Sequence, residues 1–378
     1  MSEAQVRLTG DALSGIGTMI QDTHAAIAER AFGRGPAKFL HDGISRAVYT
    51  GVRSGLRFGG RAAGALLPEP DGLIKGALNA AVGDLLVEQY APLATEMTAH
   101  ADASRGATGR IVVFLHGLGE TGDSWKLGGR PTYGDRLADE HGFTPVYVTY
   151  NTGLHISDNG QRLDDALNEI IDNWPVQPEE LVLVGHSMGG LVVRSACHYG
   201  TAWTGYLSRV FCLGSPHLGA PLEQAANVAG WALNRIPYTR PAAKIVNGRS
   251  AGIKDLRYGA CVEADWSGCD PDEFLRDRCT EVPFLESCDY YFIGASLGKE
   301  GSLADRIVGD LLVLYTSASG ESKKRKIGFA IDRGKRLDGV NHFQLLNHPL
   351  VYDQLTEWLG KRPAREASRR ALPIPIES

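Results

Sequence analysis

The stretch Leu181-Val-Leu-Val-Gly-His-Ser-Met-Gly-Gly190 constrains this chain more than any other. Four aliphatic residues in a row read as a strand buried on both faces of a parallel sheet. Gly185-His-Ser187-Met-Gly189 follows at once, and Gly190-Leu-Val-Val-Arg194 starts a helix. A GxSxG between strand and helix sets the serine on a strained turn with its hydroxyl exposed and the N-terminus of the new helix aimed at it. The flanking glycines carry no Cβ, so strand and helix can approach closely. The competing reading is a plain tight turn with a hydrogen-bonding serine. The buried strand before Ser187 and the helix after it favour a nucleophile.

The same alternation extends along the chain from Arg110. Strands are expected at Ile111–Leu115, Pro145–Tyr150, Arg209–Leu213 and Tyr290–Ile293, and a last one at Lys326–Ile331. Helices are expected at Asn159–Trp174, with Leu163, Leu167, Ile170 and Ile171 on one face, and at Val351–Leu359. Repeated strand–helix units imply an α/β fold, a mostly parallel, doubly wound sheet. The alternation lapses between Gly214 and Cys288, far beyond an ordinary loop. Residues 220–287, with a helix at Leu222–Asn234, are therefore expected to form a cap or lid insertion.

Residues 1–108 read differently, as an N-terminal helical region. Helices are expected over Ala12–Phe32, Ala37–Leu67 and Leu73–Met97. Gly51, Gly55 and Gly59 line one face, which suits close packing. Arg46, Arg53, Arg57 and Arg61 form a basic stripe that is either a solvated face or a peripheral contact with an anionic lipid surface. The three units expected are thus 1–108, 109–360 and a disordered basic tail at 361–378.

Composition narrows the function classes. Hydrophobic content of 43% and charged content of 22% are those of a globular domain. A net charge of −5 gives no nucleic-acid signal. The N-terminus shows no basic segment followed by an apolar core, and no uncharged run approaches a membrane span, so a cytoplasmic protein is expected. Of the six cysteines, Cys197 and Cys212 fall in a helix and a strand. Cys261, Cys269, Cys279 and Cys288 cluster without a CxxC pair, so free thiols are preferred over structural zinc. No HExxH occurs, and neither a metal nor a cofactor is expected.

A serine nucleophile needs a base, and the base needs an orienting acid. On a parallel sheet of this kind the order along the chain is serine, acid, histidine. His198 sits on the helix leaving the turn, and His217 precedes any plausible acid. His342, in Gly339-Val-Asn-His-Phe-Gln, is the candidate base; His348, just before Pro349, reads as a cap or packing residue. Asp305, Asp310, Asp332 and Asp338 are the acids that qualify by position, and Asp310 in Gly309-Asp-Leu-Leu-Val is preferred. Oxyanion donors are expected from the Met188 N–H and, in His116-Gly-Leu-Gly-Glu120, from the Leu118 N–H. The His116 side chain reads as a structural hydrogen bonder.

These motifs resemble bacterial esterases and lipases with the α/β-hydrolase fold, and among them the GPI inositol-deacylase-like and triacylglycerol-lipase-like group. The resemblance covers about residues 108–360 and is carried by His116-Gly-Leu-Gly, Tyr150-Asn-Thr-Gly, Gly185-His-Ser-Met-Gly-Gly, Gly214-Ser-Pro-His-Leu-Gly-Ala-Pro, Gly309-Asp-Leu-Leu-Val and Asn341-His-Phe-Gln-Leu-Leu. It implies Ser187, Asp310 and His342 as a triad. It also implies a glycine after the acid, where this chain has Leu311. The leading function is hydrolysis of hydrophobic acyl esters through an acyl-serine. Acyl transfer or thioester cleavage on the same triad is the second reading, and a non-catalytic scaffold docking on lipid or a partner the third. A complete set of nucleophile, acid, base and oxyanion loop weighs against the scaffold.

Overall fold

The computed structural model describes residues 70–89, 94–235, 247–300, 302, 309–322 and 325–361. The helices expected over residues 12–32 and 37–67, Gly51, Gly55, Gly59, the basic stripe Arg46 to Arg61, Asp305 and all but the first residue of the tail lie outside them.

Among the described residues, seven strands form one sheet: β1 (Thr98–Ala101), β2 (Arg110–Leu115), β3 (Thr144–Thr149), β4 (Glu180–His186), β5 (Leu207–Leu213), β6 (Asp289–Ser296) and β7 (Gly334–Asp338). Their order is β1-β3-β2-β4-β5-β6-β7. β1 runs antiparallel to β3, and every other pairing is parallel. Apolar runs without polar alternation must be covered on both sides, and here helices cover both. Ile111, Val113, Leu181, Leu183, Val210 and Cys212 share one core with Leu163 and Leu167 of α3 (Ile156–Asp172) and Leu191 and Val192 of α4 (Met188–Tyr199). The intervening Val112, Phe114, Val182, Val184, Phe211 and Leu213 face a second core, made with Leu137 of α2 (Tyr133–His141) and Val351, Leu355 and Trp358 of α8 (Pro349–Leu359). The sheet is doubly wound, as expected. From β2 the chain moves outward to β3 and then returns to place β4 on the other side of β2. That reversal opens a crevice at the carboxyl ends of β2 and β4.

Three expectations need correction. Lys326–Ile331 is not the last strand: only Lys326 bridges to Glu321, and Ile331 is fully exposed. Phe329 instead packs at the margin of the first core, and Ile327 is buried. The last strand is β7, whose only buried side chain is Leu337, because an edge strand needs few apolar residues. The helix expected over Leu73–Met97 is α1 (Pro70–Gln89), shorter at its C-terminal end. Thr98–Ala101, just beyond, is β1, a four-residue edge strand too short and too exposed to show a pattern in the sequence. The sheet therefore begins before Gly109.

α1 packs against the rest through its backbone. A Cβ on Gly76 would stand 2.5 Å from the Gly119 carbonyl, and one on Gly83 would overlap the Asn151 side chain. Asn151 Nδ2 donates to the Gly83 carbonyl (3.0 Å), and Ser250 Oγ donates to the Ala80 carbonyl (2.6 Å).

The insertion opens with α5 (Pro221–Arg235), where a helix is expected, and includes the single turn α6 (Ala251–Asp255). Its described residues attach at the carboxyl edge of the sheet, the edge that holds Ser187. Gly252 N–H donates to the Gly153 carbonyl (3.0 Å), Asp255 bonds His155 Nδ1 (3.0 Å), and Trp266 Nε1 donates to Ser157 Oγ (2.9 Å). α5 is inverted relative to an ordinary surface helix. It buries Glu223, Asn227 and Gly230, and leaves Leu222, Val228, Trp231 and Leu233 half-buried. Glu223 accepts from Arg249 (2.9 Å) and Arg257 (3.2 Å), while Asn227 bonds Leu275 N–H (3.0 Å).

Candidate active site

Ser187 sits between β4 and α4 with φ 52° and ψ −123°. Residues with a side chain avoid this region, so the strain needs support from around it. The support is close packing of bare backbone. A Cβ on Gly185 would lie 2.5 Å from Gly190 N, and one on Gly189 would lie 2.6 Å from the carbonyls of Leu115 and His116. The Ser187 N–H donates to the Leu213 carbonyl at 2.8 Å, which ties the turn to β5.

Asp310 and His342 come together from separate loops. His342 Nδ1 is 2.7 Å from Asp310 Oδ2, and both side chains are 1% exposed. Asp310 Oδ1 accepts the N–H groups of Leu312 (3.0 Å) and Val313 (2.8 Å), so the carboxylate cannot turn. The His342 N–H donates to the Asp310 carbonyl (3.0 Å), clamping backbone to backbone. Leu311 takes φ 101°, a conformation that favours the glycine the resemblance implies at this position. The loop thus carries a strained leucine at this position. Burial lowers the proton affinity of His342, but the charge and hydrogen bond of Asp310 outweigh it, and the net direction is upward. His342 Nε2 is buried with no hydrogen-bond partner among the described residues. Gly214, next to the Leu213 that holds Ser187, has φ 62°; a Cβ there would stand 3.2 Å from the His342 ring.

The loop after β2 supplies backbone donors. Gly117 N–H donates to Glu120 Oε2 (2.7 Å), Gly119 N–H to Thr152 Oγ1 (3.2 Å) and Glu120 N–H to the Gly117 carbonyl (3.2 Å). Among the described residues only the Leu118 N–H of this turn has no acceptor. The loop lies against the nucleophile: a Cβ on Gly117 would be 2.9 Å from Ser187 Cβ. Met188 N is the first nitrogen of α4, one of the donors a helix leaves unpaired at its start. His116 stacks on Tyr150 (4.4 Å), bonds the Gly117 carbonyl through Nδ1 (2.9 Å) and accepts the Tyr150 N–H (3.3 Å). Burial pushes it down to about 4, so it is neutral and structural.

Two residues to which the sequence reading gives no role stand beside these. Glu120 Oε2 is 3.1 Å from His186 Nδ1, and His186 Nε2 is 3.1 Å from the His342 carbonyl oxygen. Burial alone would raise the Glu120 carboxyl, but the charge and bond of His186 hold it down to about 2. A carboxylate closing a glycine loop and a histidine preceding the nucleophile were the available signals.

The other candidates lie elsewhere. His348 is the N-cap of α8, its Nδ1 accepting the Leu350 N–H at 3.2 Å. His198 is exposed, and His217 is buried against Arg194 (3.2 Å) and held well below the ordinary histidine value by burial. Asp332 is exposed, and Asp338, also exposed, pairs with Arg336 at 2.8 Å. All six cysteines are free thiols. Cys261 and Cys288 are in the first core, and Cys269 and Cys279 are half-buried. Burial pushes Cys197 and Cys212 up to about 12, which makes them poor nucleophiles. Among the described residues no helix is long and apolar enough to cross a membrane.

Residues 106–267 match the family model of the PGAP1-like alpha/beta domain. The lipase BlEst2 of Bacillus licheniformis, in its mature form, is similar in structure at 19% identity, covering 69% of this chain and 98% of that one with a TM-score of 0.46. The esterase Pf2001 of Pyrococcus furiosus is similar at 12% identity, covering 67% and 83% with a TM-score of 0.37. Lipase B of Aspergillus fumigatus is similar at 11% identity, covering 72% and 58% with a TM-score of 0.42. No curated protein matches the chain by sequence. The resemblance read from the motifs thus coincides with a family match across β2 to β5, and the fold is that of the α/β-hydrolases.

Proposed function

We propose that this chain is a serine hydrolase that cleaves carboxylic esters of apolar acyl chains through an acyl-serine intermediate. The observations that support the reading are the buried Asp310–His342 pair, whose outer nitrogen is unpartnered among the described residues, and a serine held at positive φ in a strand–helix turn.

The chemistry follows from those groups. His342 Nε2 takes the proton of Ser187 Oγ as the oxygen attacks the ester carbonyl. Asp310 holds Nδ1–H and stabilises the imidazolium that forms. The tetrahedral oxyanion receives the N–H groups of Leu118 and Met188, fixed dipoles that need no reorganisation. His342 then gives its proton to the leaving alcohol as the carbon–oxygen bond breaks, leaving the acyl group on Ser187. Water, deprotonated by the same nitrogen, attacks the acyl-serine; the bond to Ser187 Oγ breaks, His342 returns the proton to Oγ, and a carboxylic acid departs. The apolar side of α5, with Leu222, Val228 and Trp231 half-buried, is the surface we assign to the acyl chain. Residues 220–287 form the cap in this reading. Contact of Arg46, Arg53, Arg57 and Arg61 with an anionic lipid surface belongs to the same proposal.

A fluorophosphonate probe and a chain-length series of p-nitrophenyl esters test it. Labelling at Ser187, lost in Ser187→Ala together with turnover, is the expected result. Labelling at another serine, with turnover intact in Ser187→Ala, would overturn it.

A further inference from the structure

Glu120 and His186 are 8% and 0% exposed, and their contacts join three segments. Glu120 Oε2 holds the Gly117 N–H at 2.7 Å and meets His186 Nδ1 at 3.1 Å; His186 Nε2 meets the His342 carbonyl at 3.1 Å. Both ring nitrogens therefore face oxygen atoms. The His342 ring lies 4.7 Å away and Trp125 stands edge-on at 6.3 Å.

A buried ion pair is a poor device for stability, since desolvation cancels much of its attraction and apolar residues of the same volume do as well. Position explains it better. The pair ties down the loop that carries the Leu118 N–H, the residue preceding the nucleophile, and the backbone of the base. With the Gly117 and Gly119 N–H groups engaged by Glu120 and Thr152, the loop has one donor left to offer.

We propose that Glu120 and His186 are positioning residues, which hold the Leu118 N–H and the His342 ring at the geometry of the transition state without touching substrate. This role rests on the acyl-serine reading. Interactions used only in the transition state move kcat and leave KM alone.

The experiment compares the full chain with Glu120→Gln, His186→Asn and the double variant, on one p-nitrophenyl ester and one trifluoromethyl ketone, a mimic of the tetrahedral adduct. Removing an oxyanion donor costs roughly 10²- to 10³-fold, so displacing one should lower kcat about 10- to 100-fold, with KM within about twofold. Ketone affinity should fall in step with kcat, and the double variant should lose no more than the worse single one, because the pair acts as a unit. In the unsubstituted chain, binding of the ketone should shift the Leu118 N–H resonance and leave that of Gly117 in place. An active, Ser187-labelled wild type whose kcat survives both substitutions overturns the role alone, and so does a ketone that leaves the Leu118 N–H unmoved, even where the variants fold poorly. A wild type that neither hydrolyses esters nor labels at Ser187 overturns the acyl-serine reading, and this role with it.

Discussion

Two buried carboxylate–imidazole pairs meet where the His186 and His342 rings lie 4.7 Å apart, and they differ in what the outer nitrogen meets. In Asp310–His342 it meets no partner among the described residues; in Glu120–His186 it meets the His342 carbonyl oxygen. The inner contacts are alike, 2.7 Å and 3.1 Å. Proton transfer needs an open lone pair, so only the first pair can act as a base. The second, closed at both ends, can only hold. A third pair, Asp255 with His155, lies where the insertion meets the loop after β3. There His155 stacks on Trp266 at 3.7 Å, and the pair fastens two segments together.

The largest effect that could break this comparison is on the open pair. His342→Ala should reduce kcat on the order of 10⁶-fold, as loss of a triad histidine does, while His348→Ala leaves turnover essentially intact. Comparable losses in both would mean that the open nitrogen is not the base. Steady-state kinetics on a soluble ester reads this directly.

Asp310→Asn should follow, with a loss on the order of 10⁴-fold, because the imidazole loses its oriented tautomer and its counter-charge. The pH profile sharpens the point. Asp310 raises His342 above the ordinary value of 6.5, and the reaction needs the neutral ring. The acidic limb of kcat/KM should therefore lie above 6.5 in the parent and move to lower pH in Asp310→Asn. An unmoved limb would assign it to another group.

The smallest effect belongs to the third pair. His155→Asn should leave kcat alone and cost about 1 kcal/mol of stability, the size of one partly buried hydrogen bond. Burial lowers the proton affinity of His155, and Asp255 raises it by more. A raised folded value means the stabilisation is full below 6.5, the unfolded value, and fades as pH rises through the folded one. Urea denaturation of both proteins at pH 5.5 and pH 8.5 checks it. A larger difference at the alkaline pH would reverse the sign.

The sequence revealed these pairs unequally. Asp310 and His342 lie 32 residues apart, but the order serine, acid, histidine and two loop contexts narrowed the choice. Glu120 and His186 lie 66 residues apart, and no periodicity links a loop carboxylate to the last residue of a strand. The buried strands were legible because runs such as Leu181–Val184 have no polar face. β1 and β7 were not, because edge strands are set by pairing partners more than by their own side chains. The inverted α5 was hidden for a related reason. Glu223 and Asn227 look solvent-facing until Arg249, Arg257 and Leu275 fold over them.

The packing of α1 has a consequence in time. Its partners are Gly119, Asn151 and Ser250, the last 170 residues further along the chain. A chain made from its N-terminus carries Ala80 of α1 through 170 further residues before the last of these exists. Closing so long a loop is entropically slow compared with pairing neighbouring strands. Residues 110–213 can assemble β2 to β5 and the turn at Ser187 first, while the Gly119 carbonyl waits for its cover. Of the contacts that α1 makes, the one with Ser250 is the last that the growing chain can form.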